Sequence, residues 1–389
     1  MIKTIIILGS TGSIGSTTLA SIYKKNFKVK LLSSKSNIKK LYNQAIRFNV
    51  KDVIIEDSRK YNLYKKKFNK KKIRLHLGLK NINNKIYKKV DFCVNAISGI
   101  DGLFPTLKII PYTKFLLIAN KESIICGWEL ILKNLKKNKT EFIPLDSEHF
   151  SIWSLLKNED TKDIQKIVLT ASGGPFLNKS KSKLINIKPE LALKHPKWKM
   201  GKKISIDSSN LMNKIFEFIE AKKIFNINKK NISILIHPES FIHAVIYFKG
   251  DLIKSLAHNT SMKIPISNAL GIKKSNSENN INKYLLKLNN LKFKKANDKN
   301  FPLLKIIKFI PDKSSYFETI LITINDYLVN KYLEKKINYI SIQLNILKLL
   351  KKPYFAKYYK LKPKNIYDIK KMIKLTKKYV ESNYKYYEK

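Results

Sequence analysis

The chain has 389 residues, a hydrophobic fraction of 44% and a formal charge of +50, with 78 lysines and arginines against 28 acidic residues. That length exceeds one ordinary domain and predicts two or three, each with enough apolar content for a packed core. No apolar run reaches the roughly 20 residues that span a bilayer, and the chain opens on a strand-like run rather than a charged-then-apolar leader, so a cytoplasmic protein with no membrane partner is expected.

The charge does not read as a nucleic-acid signature. Only three arginines occur (Arg47, Arg59 and Arg74), and lysine, asparagine and isoleucine are abundant throughout while glycine is scarce. An AT-rich coding sequence produces that pattern, whereas a dedicated nucleic-acid binder favours the arginine fork. No specific nucleic-acid partner is expected. Cys93 and Cys126 lie in apolar stretches and read as reduced core thiols.

In chain order, residues 4–8 read as a buried strand, followed by a glycine loop and a helix to about residue 25. Strands are expected at 28–33, 52–56, 73–77, 91–97 and 114–119, with helices at 36–49, within 58–90 and at 102–110. This alternation predicts an α/β fold opening on a Rossmann-like, doubly wound parallel sheet. From about residue 143 the texture changes to short strands at 165–170, 232–236 and 243–248, with helices at 147–156 and 208–225. Residues 272–300 read as a polar linker, and 301–389 as helices with lysine-covered faces. The expected organisation is an N-terminal nucleotide-binding domain (1–145), a central α/β catalytic domain (146–271), the linker (272–300) and a C-terminal helical domain (301–389).

The loop Gly9-Ser10-Thr11-Gly12-Ser13-Ile14-Gly15 follows a strand and opens a helix. Glycines there let the backbone turn tightly and let a pyrophosphate approach main-chain N–H groups, helped by the helix dipole. After the second strand, Ser33-Ser34-Lys35-Ser36-Asn37 carries no acidic residue to hold a ribose 2′-hydroxyl. Lys35 suits a 2′-phosphate, so NADP is favoured over NAD.

Asp146-Ser147-Glu148-His149 places two carboxylates two residues apart at a strand end. Hard cations such as Mg²⁺ or Mn²⁺ take such oxygen ligands, although Asp146 or Ser147 could equally cap the following helix. Ser172-Gly173-Gly174 is an anion-binding turn candidate. The loop His195-Pro196-Lys197-Trp198-Lys199-Met200-Gly201 can close over a ligand. Asn213 and Glu217 are spaced to share a helix face beside Lys214, with Asp207 or Ser208 as the expected cap. His237 and His243 read as structural residues.

Taken together, the segments at 8–15 (LGSTGSIG), 116–123 (LLIANKES), 144–149 (PLDSEH), 169–176 (LTASGGPF), 195–209 (HPKWKMGKKISIDSS), 211–214 (LMNK) with Glu217, and 236–240 (IHPES) resemble the 1-deoxy-D-xylulose 5-phosphate reductoisomerases. They occur in family order over roughly residues 1–270. The resemblance implies an NADPH-dependent oxidoreductase that needs Mg²⁺ or Mn²⁺. It would rearrange and reduce 1-deoxy-D-xylulose 5-phosphate, a small sugar phosphate, to 2-C-methyl-D-erythritol 4-phosphate, the committed step of non-mevalonate isoprenoid synthesis. The family implies a homodimer.

Carried over by motif, Asp146, Glu148 and Glu217 match metal ligands, and Lys121 and His195 join them as catalytic positions. Lys121, Ser147, Glu148, Ser172, His195, Ser208, Asn213, Lys214 and Glu217 match substrate contacts. Thr11, Gly12, Ser13, Ile14, Lys35, Ser36, Asn37, Asn120, Glu122 and Gly201 match NADPH contacts, and Trp198 and Met200 match a lid. The chain departs from the family at Ile215-Phe216 (usually Gly-Leu), at Thr260–Ile266 (usually Pro-Asp-Met-Arg-x-Pro-Ile), and at Ile322-Thr323-Ile324-Asn325-Asp326 (usually Asn-Ala-Ala-Asn-Glu). Another NADP-dependent dehydrogenase, needing no carboxylate cluster, and a lysine-rich polyanion-binding protein are the competing readings.

Overall fold

The computed structural model describes residues 2–80, 82, 86, 88–179, 181–198, 200–273 and 279–383. The first stretch alternates strand and helix: β1 (Lys3–Leu8), α1 (Ser13–Ser21), β2 (Phe27–Ser34), α2 (Ile38–Arg47), β3 (Asp52–Ile55), α3 (Ser58–Lys70), β4 (Arg74–Leu77), β5 (Val90–Asn95), α4 (Leu103–Ile109), β6 (Thr113–Ile118), α5 (Lys121–Asn138), β7 (Glu141–Pro144) and α6 (Ser147–Leu155). There follow β8 (Ile164–Ala171), α7 (Lys181–Leu184), α8 (Pro189–Ala192), α9 (Lys202–Ser209), α10 (Met212–Ile224), β9 (Ile232–Ile236), β10 (Ile242–Phe248) and β11 (Ile253–Ala257). The rest is mainly helical: α11 (Lys263–Ala269), α12 (Asn279–Leu286), the short strand β12 (Lys294–Lys295), α13 (Phe317–Leu333), α14 (Tyr339–Leu350), α15 (Pro353–Ala356) and α16 (Ile366–Asn383). The fold is α/β with a helical C-terminal region, as the sequence predicts.

Two compact units divide the chain: Met1–Ile124, Trp128–Trp153 and Ser261–Ser275 in the first, and Ile125–Gly127, Ser154–Thr260 and Asn276–Lys389 in the second. The first holds a seven-stranded sheet in the order β4-β3-β2-β1-β5-β6-β7, with every pairing parallel. Strands covered on both faces carry unbroken apolar runs, and Ile5 through Leu8 of β1 are wholly buried. The strand order reverses at β1, between β2 and β5, so loops leaving the strand ends diverge there and open a crevice. The glycine loop follows β1 at that switch point. Helix α11 packs on α1 and adds Ile266, Ala269 and Leu270 to the core of this unit. Residues 261–271 thus belong to the first unit, although the sequence places them at the end of the second segment.

The second unit holds a five-stranded sheet in the order β11-β10-β8-β9-β12. β8 and β9 run parallel, and the remaining pairings are antiparallel. Helix α10 packs across β8 and β9, and α13 packs against α14 and α16.

Two elements differ from expectation. The helix expected over 208–225 is two helices, because Leu211 adopts a left-handed conformation (φ 64°) that breaks the ladder between α9 and α10. Asp207 and Ser208 therefore lie in the last turn of α9, and it is Asn210 Oδ1 that accepts from Met212 N (3.0 Å) at the start of α10. The polar stretch 272–300 contains α12, and its β12 pairs with β9, so lysines at the edge of a sheet read from sequence as linker. Residues 274–278 of that stretch lie outside the described residues.

A Cβ at Gly15 would lie 2.5 Å from both Gly9 O and Ser10 Cα, whereas a Cβ at Gly201 would meet nothing within 4 Å. Gly15→Ala should therefore lose stability overall, since overpacking costs about 1–3 kcal/mol against about 1 kcal/mol gained in helix propensity. Gly201→Ala should stay within about 0.5 kcal/mol of wild type. Urea unfolding checks both, and equal midpoints for Gly15→Ala and wild type would contradict the close packing.

Candidate active site

In the first unit, the glycine loop is fixed by sterics and by a polar brace. Gly9 has φ 75°, and a Cβ there would sit 2.7 Å from Ala96 O. Gly9 N donates to Ser33 Oγ (3.0 Å), and Ser10 N donates to Ser33 O (2.8 Å). Gln44 Nε2 donates to Ser10 O (2.9 Å), which ties the loop to α2. The N-cap of α1 is Gly12, with no side chain capping the helix, so its first N–H groups face no side-chain acceptor there. Thr11 Oγ1 lies 2.7 Å from Ser34 Oγ, which accepts from Asn37 N (3.2 Å).

Three lysines surround the turn after β2. Lys35 is strongly exposed and 3.5 Å from Asp101; Lys40 Nζ donates to Thr11 O (3.0 Å), and Lys60 Nζ to Ser36 O (2.8 Å). Sequence reasoning singled out Lys35 and missed Lys40, Lys60 and Gln44. The uniform lysine background hides the first two, and Gln44 carries no motif.

Asn120, Lys121 and Glu122 begin α5 after β6. The Asn120 side chain accepts from Ser123 N (2.6 Å) as the helix cap and donates to Gly99 O (2.6 Å) and to Ile97 O. Its amide thus shapes the loop after β5. Lys121, 8% exposed, pairs with Asp146 at the end of β7. Burial pushes the Asp146 carboxyl up, but the Lys121 ammonium and the His149 ring outweigh it and hold it well below the ordinary carboxylate range. Asp146 Oδ1 lies 3.1 Å from His149 Nδ1. Ser147 Oγ donates to Glu148 Oε2 (2.5 Å).

In the second unit, β8 runs into Ser172-Gly173-Gly174, whose glycines both have positive φ (82° and 70°). A Cβ on Gly174 would lie 2.9 Å from Ser209 Cα, so this turn backs directly onto the end of α9. His195 Nδ1 accepts from Lys197 N (3.1 Å) and Trp198 N (2.9 Å), which leaves its proton on Nε2, 3.1 Å from Ser172 Oγ. Burial pulls His195 from its ordinary 6.5 down to about 4. Trp198 meets the His243 ring edge-on at 6.1 Å, and His243 stacks on His258 at 3.8 Å. Met200 is half-buried, and Gly201 is the N-cap of α9.

On α10, Asn213 and Glu217 share a face as their spacing predicts: Asn213 Nδ2 donates to Glu217 Oε1 (2.5 Å), and Lys214 pairs with Glu217 Oε2. Lys214 and Glu217 are 4% and 1% exposed. His237 is enclosed, its Nε2 accepting from Phe241 N and Ile242 N (3.1 and 3.2 Å). Cys93 and Cys126 are buried thiols, as expected.

A glycine loop at the switch point of a parallel sheet is the hallmark of a dinucleotide-linked α/β oxidoreductase. The profile of 1-deoxy-D-xylulose 5-phosphate reductoisomerase matches residues 5–127, and those of its C-terminal domains match 142–225 and 258–379. The reductoisomerase of Pelagibacter ubique is 48% identical over 375 residues (95% of this chain, 96% of that one), and that of Wolbachia pipientis wMel is 40% identical over 346 (87% and 88%). Among solved structures, the Zymomonas mobilis reductoisomerase in complex with NADPH superposes with TM-score 0.86 at 28% identity, covering 97% of each chain. A reductoisomerase in complex with NADPH, fosmidomycin and magnesium gives 0.89 at 29%, covering 99% of this chain and 98% of that one. The chain belongs to the 1-deoxy-D-xylulose 5-phosphate reductoisomerase family. That membership decides against another NADP-dependent dehydrogenase.

The His195 assignment predicts a ring that stays neutral at physiological pH. Its folded value lies below its unfolded one, so holding it neutral costs nothing above pH 6.5 and costs progressively more stability as pH falls towards 4. Nitrogen NMR of the ring should show the neutral form with the proton on Nε2 from about pH 8 to about pH 5.5. A midpoint near the unperturbed value would contradict the assignment.

Proposed function

We propose that the chain catalyses the NADPH- and divalent-metal-dependent rearrangement and reduction of 1-deoxy-D-xylulose 5-phosphate to 2-C-methyl-D-erythritol 4-phosphate, the committed step of the non-mevalonate isoprenoid pathway. The observation that carries this reading is the pair of buried lysine–carboxylate contacts, Lys121–Asp146 and Lys214–Glu217, in a chain of this family. Relatives in this family form complexes with NADPH, fosmidomycin and magnesium, which supports the cofactor assignments.

The residues present fit both cofactors. Asp146, Glu148 and Glu217 are the three acidic side chains assigned to the cation, Mg²⁺ or Mn²⁺. Asp146 is held ionised by Lys121 and His149, and an ionised carboxylate is the donor a hard cation needs. For NADPH, the N-terminus of α1 without a side-chain cap and the glycine turn suit the pyrophosphate. The turn after β2, with Lys35, Ser36, Asn37, Lys40 and Lys60 and no acidic residue, suits the 2′-phosphate.

When bound, the cation supplies Lewis acidity at the substrate's ketone and neighbouring hydroxyl, and NADPH supplies hydride. The chain's own residues orient the substrate. Ser172, held by the Nε2–H of His195, and Ser208, Asn213 and Lys214 bind the phosphate. Lys121 and Ser147 bind substrate oxygens, with Lys121 turning its ammonium from Asp146 towards them. Thr11, Gly12, Ser13, Ile14, Asn120, Glu122 and Gly201 line the nicotinamide nucleotide site. Trp198, seated against His243, and Met200 close over the reacting carbons and exclude water.

The reading extends to a cytoplasmic homodimer with no specific nucleic-acid or membrane partner. Two buried cysteine thiols suit a reducing compartment. Among the described residues no helix is long and apolar enough to cross a membrane. Strand β11 is an open sheet edge with exposed Tyr247, Leu252 and Ile253 beside it, which suits pairing with a second copy.

NADPH absorbance with purified protein, substrate and Mn²⁺, with and without chelator, tests the reading. Chelator-sensitive oxidation is expected, and its absence from folded protein would refute the function. Glu217→Gln should lower turnover by about a hundredfold or more while leaving NADPH affinity within about twofold. Near-wild-type turnover would remove Glu217 from the cation site.

A further inference from the structure

We propose that Asn325 on α13 and Tyr339 on α14 are positioning residues for the phosphate-binding residues, acting on the two neighbours of Ser208. The proposal rests on the functional reading above. Ser208 is half-exposed in the last turn of α9, while Asp207 and Ser209 on either side of it are each 2% exposed. Both buried neighbours are gripped from the C-terminal helices. Asn325, itself fully buried, donates from Nδ2 to Asp207 Oδ1 (2.8 Å). Lys203 bridges the same carboxylate to α13, lying 3.1 Å from Asp207 Oδ2 and 3.0 Å from Asp326 Oδ1, with its ammonium over the Phe216 ring of α10.

On the other side of Ser208, the Ser209 hydroxyl gives its proton to Ile206 O (2.7 Å). The 2.9 Å contact between Ser209 Oγ and Tyr339 Oη must therefore be donated by the tyrosine. Burial pushes the Tyr339 phenol up, so it remains a donor at working pH. The ring of Tyr339 also meets Phe176 edge-on at 5.2 Å, just after the Ser172-Gly173-Gly174 turn that backs onto Ser209. One tyrosine thus touches both segments that carry phosphate-binding hydroxyls, Ser172 and Ser208. An ordinary core network would hold the helices together without selecting these points. Here the contacts bracket the one side chain of the turn that reaches solvent.

Tyr339→Phe removes only the hydroxyl, and Asn325→Leu removes the amide donor at similar volume. Both should raise the KM for 1-deoxy-D-xylulose 5-phosphate about tenfold, leaving kcat and NADPH affinity within about twofold, because a misplaced hydroxyl weakens a charge-assisted phosphate bond. The dissociation constant of inorganic phosphate for the full chain, read by phosphorus NMR, should weaken in parallel. A lower melting temperature with unchanged KM and unchanged phosphate affinity in Tyr339→Phe would overturn the proposal, whether or not Asn325→Leu folds. The phosphate measurement also separates the two ideas. If wild type binds phosphate and the variants weaken it, the positioning role stands even where no substrate is turned over and the functional reading falls.

Discussion

An ionised carboxylate taken out of water needs a positive partner, and that constraint organises the chemistry of this chain. Burial alone costs several kcal/mol per ion. The chain answers it twice with lysine, Lys121 for Asp146 at the end of β7 and Lys214 for Glu217 on α10. Lys214 sits one turn from Glu217 on the same helix, whereas Lys121, the first residue of α5, meets Asp146 because β6 and β7 pair side by side. The Lys121 ammonium, with the His149 ring, holds the Asp146 carboxyl well below the ordinary carboxylate range.

Two turns follow from backbone sterics. The glycine loop after β1 and the Ser-Gly-Gly turn after β8 each need positive φ, and in each a glycine has no room for a Cβ: Gly9 against Ala96, Gly174 against Ser209. Both sit at the carboxyl ends of buried strands, where an α/β sheet presents its loops. His195 then locks the second turn, since two backbone donors on Nδ1 leave only Nε2–H for Ser172.

Much of this was legible in the sequence. Buried parallel strands gave apolar runs, so β1, β2, β5, β6 and β8 were placed within about two residues. The i,i+4 relation of Asn213 and Glu217 appears in the structure as written. What failed to show has physical causes. The break at Leu211 depends on a left-handed leucine, which no residue preference announces. Strand β12 consists of two lysines whose strand state comes only from pairing with β9. Lys40 and Lys60 were lost in a uniformly basic background. The segment Ile322 to Asp326 departs from the family pattern, yet Asn325 and Asp326 both reach α9, directly and through Lys203.

The central claim is that Asp146, Glu148 and Glu217 act on one divalent cation. Counting Mn²⁺ by electron paramagnetic resonance in the substrate-free chain addresses it most directly. The account predicts about one tight Mn²⁺ per chain, weakened at least about tenfold in Asp146→Asn, Glu148→Gln and Glu217→Gln separately, with Mg²⁺ competing. Full Mn²⁺ affinity in any one of these variants, with the fold intact, would contradict a shared site.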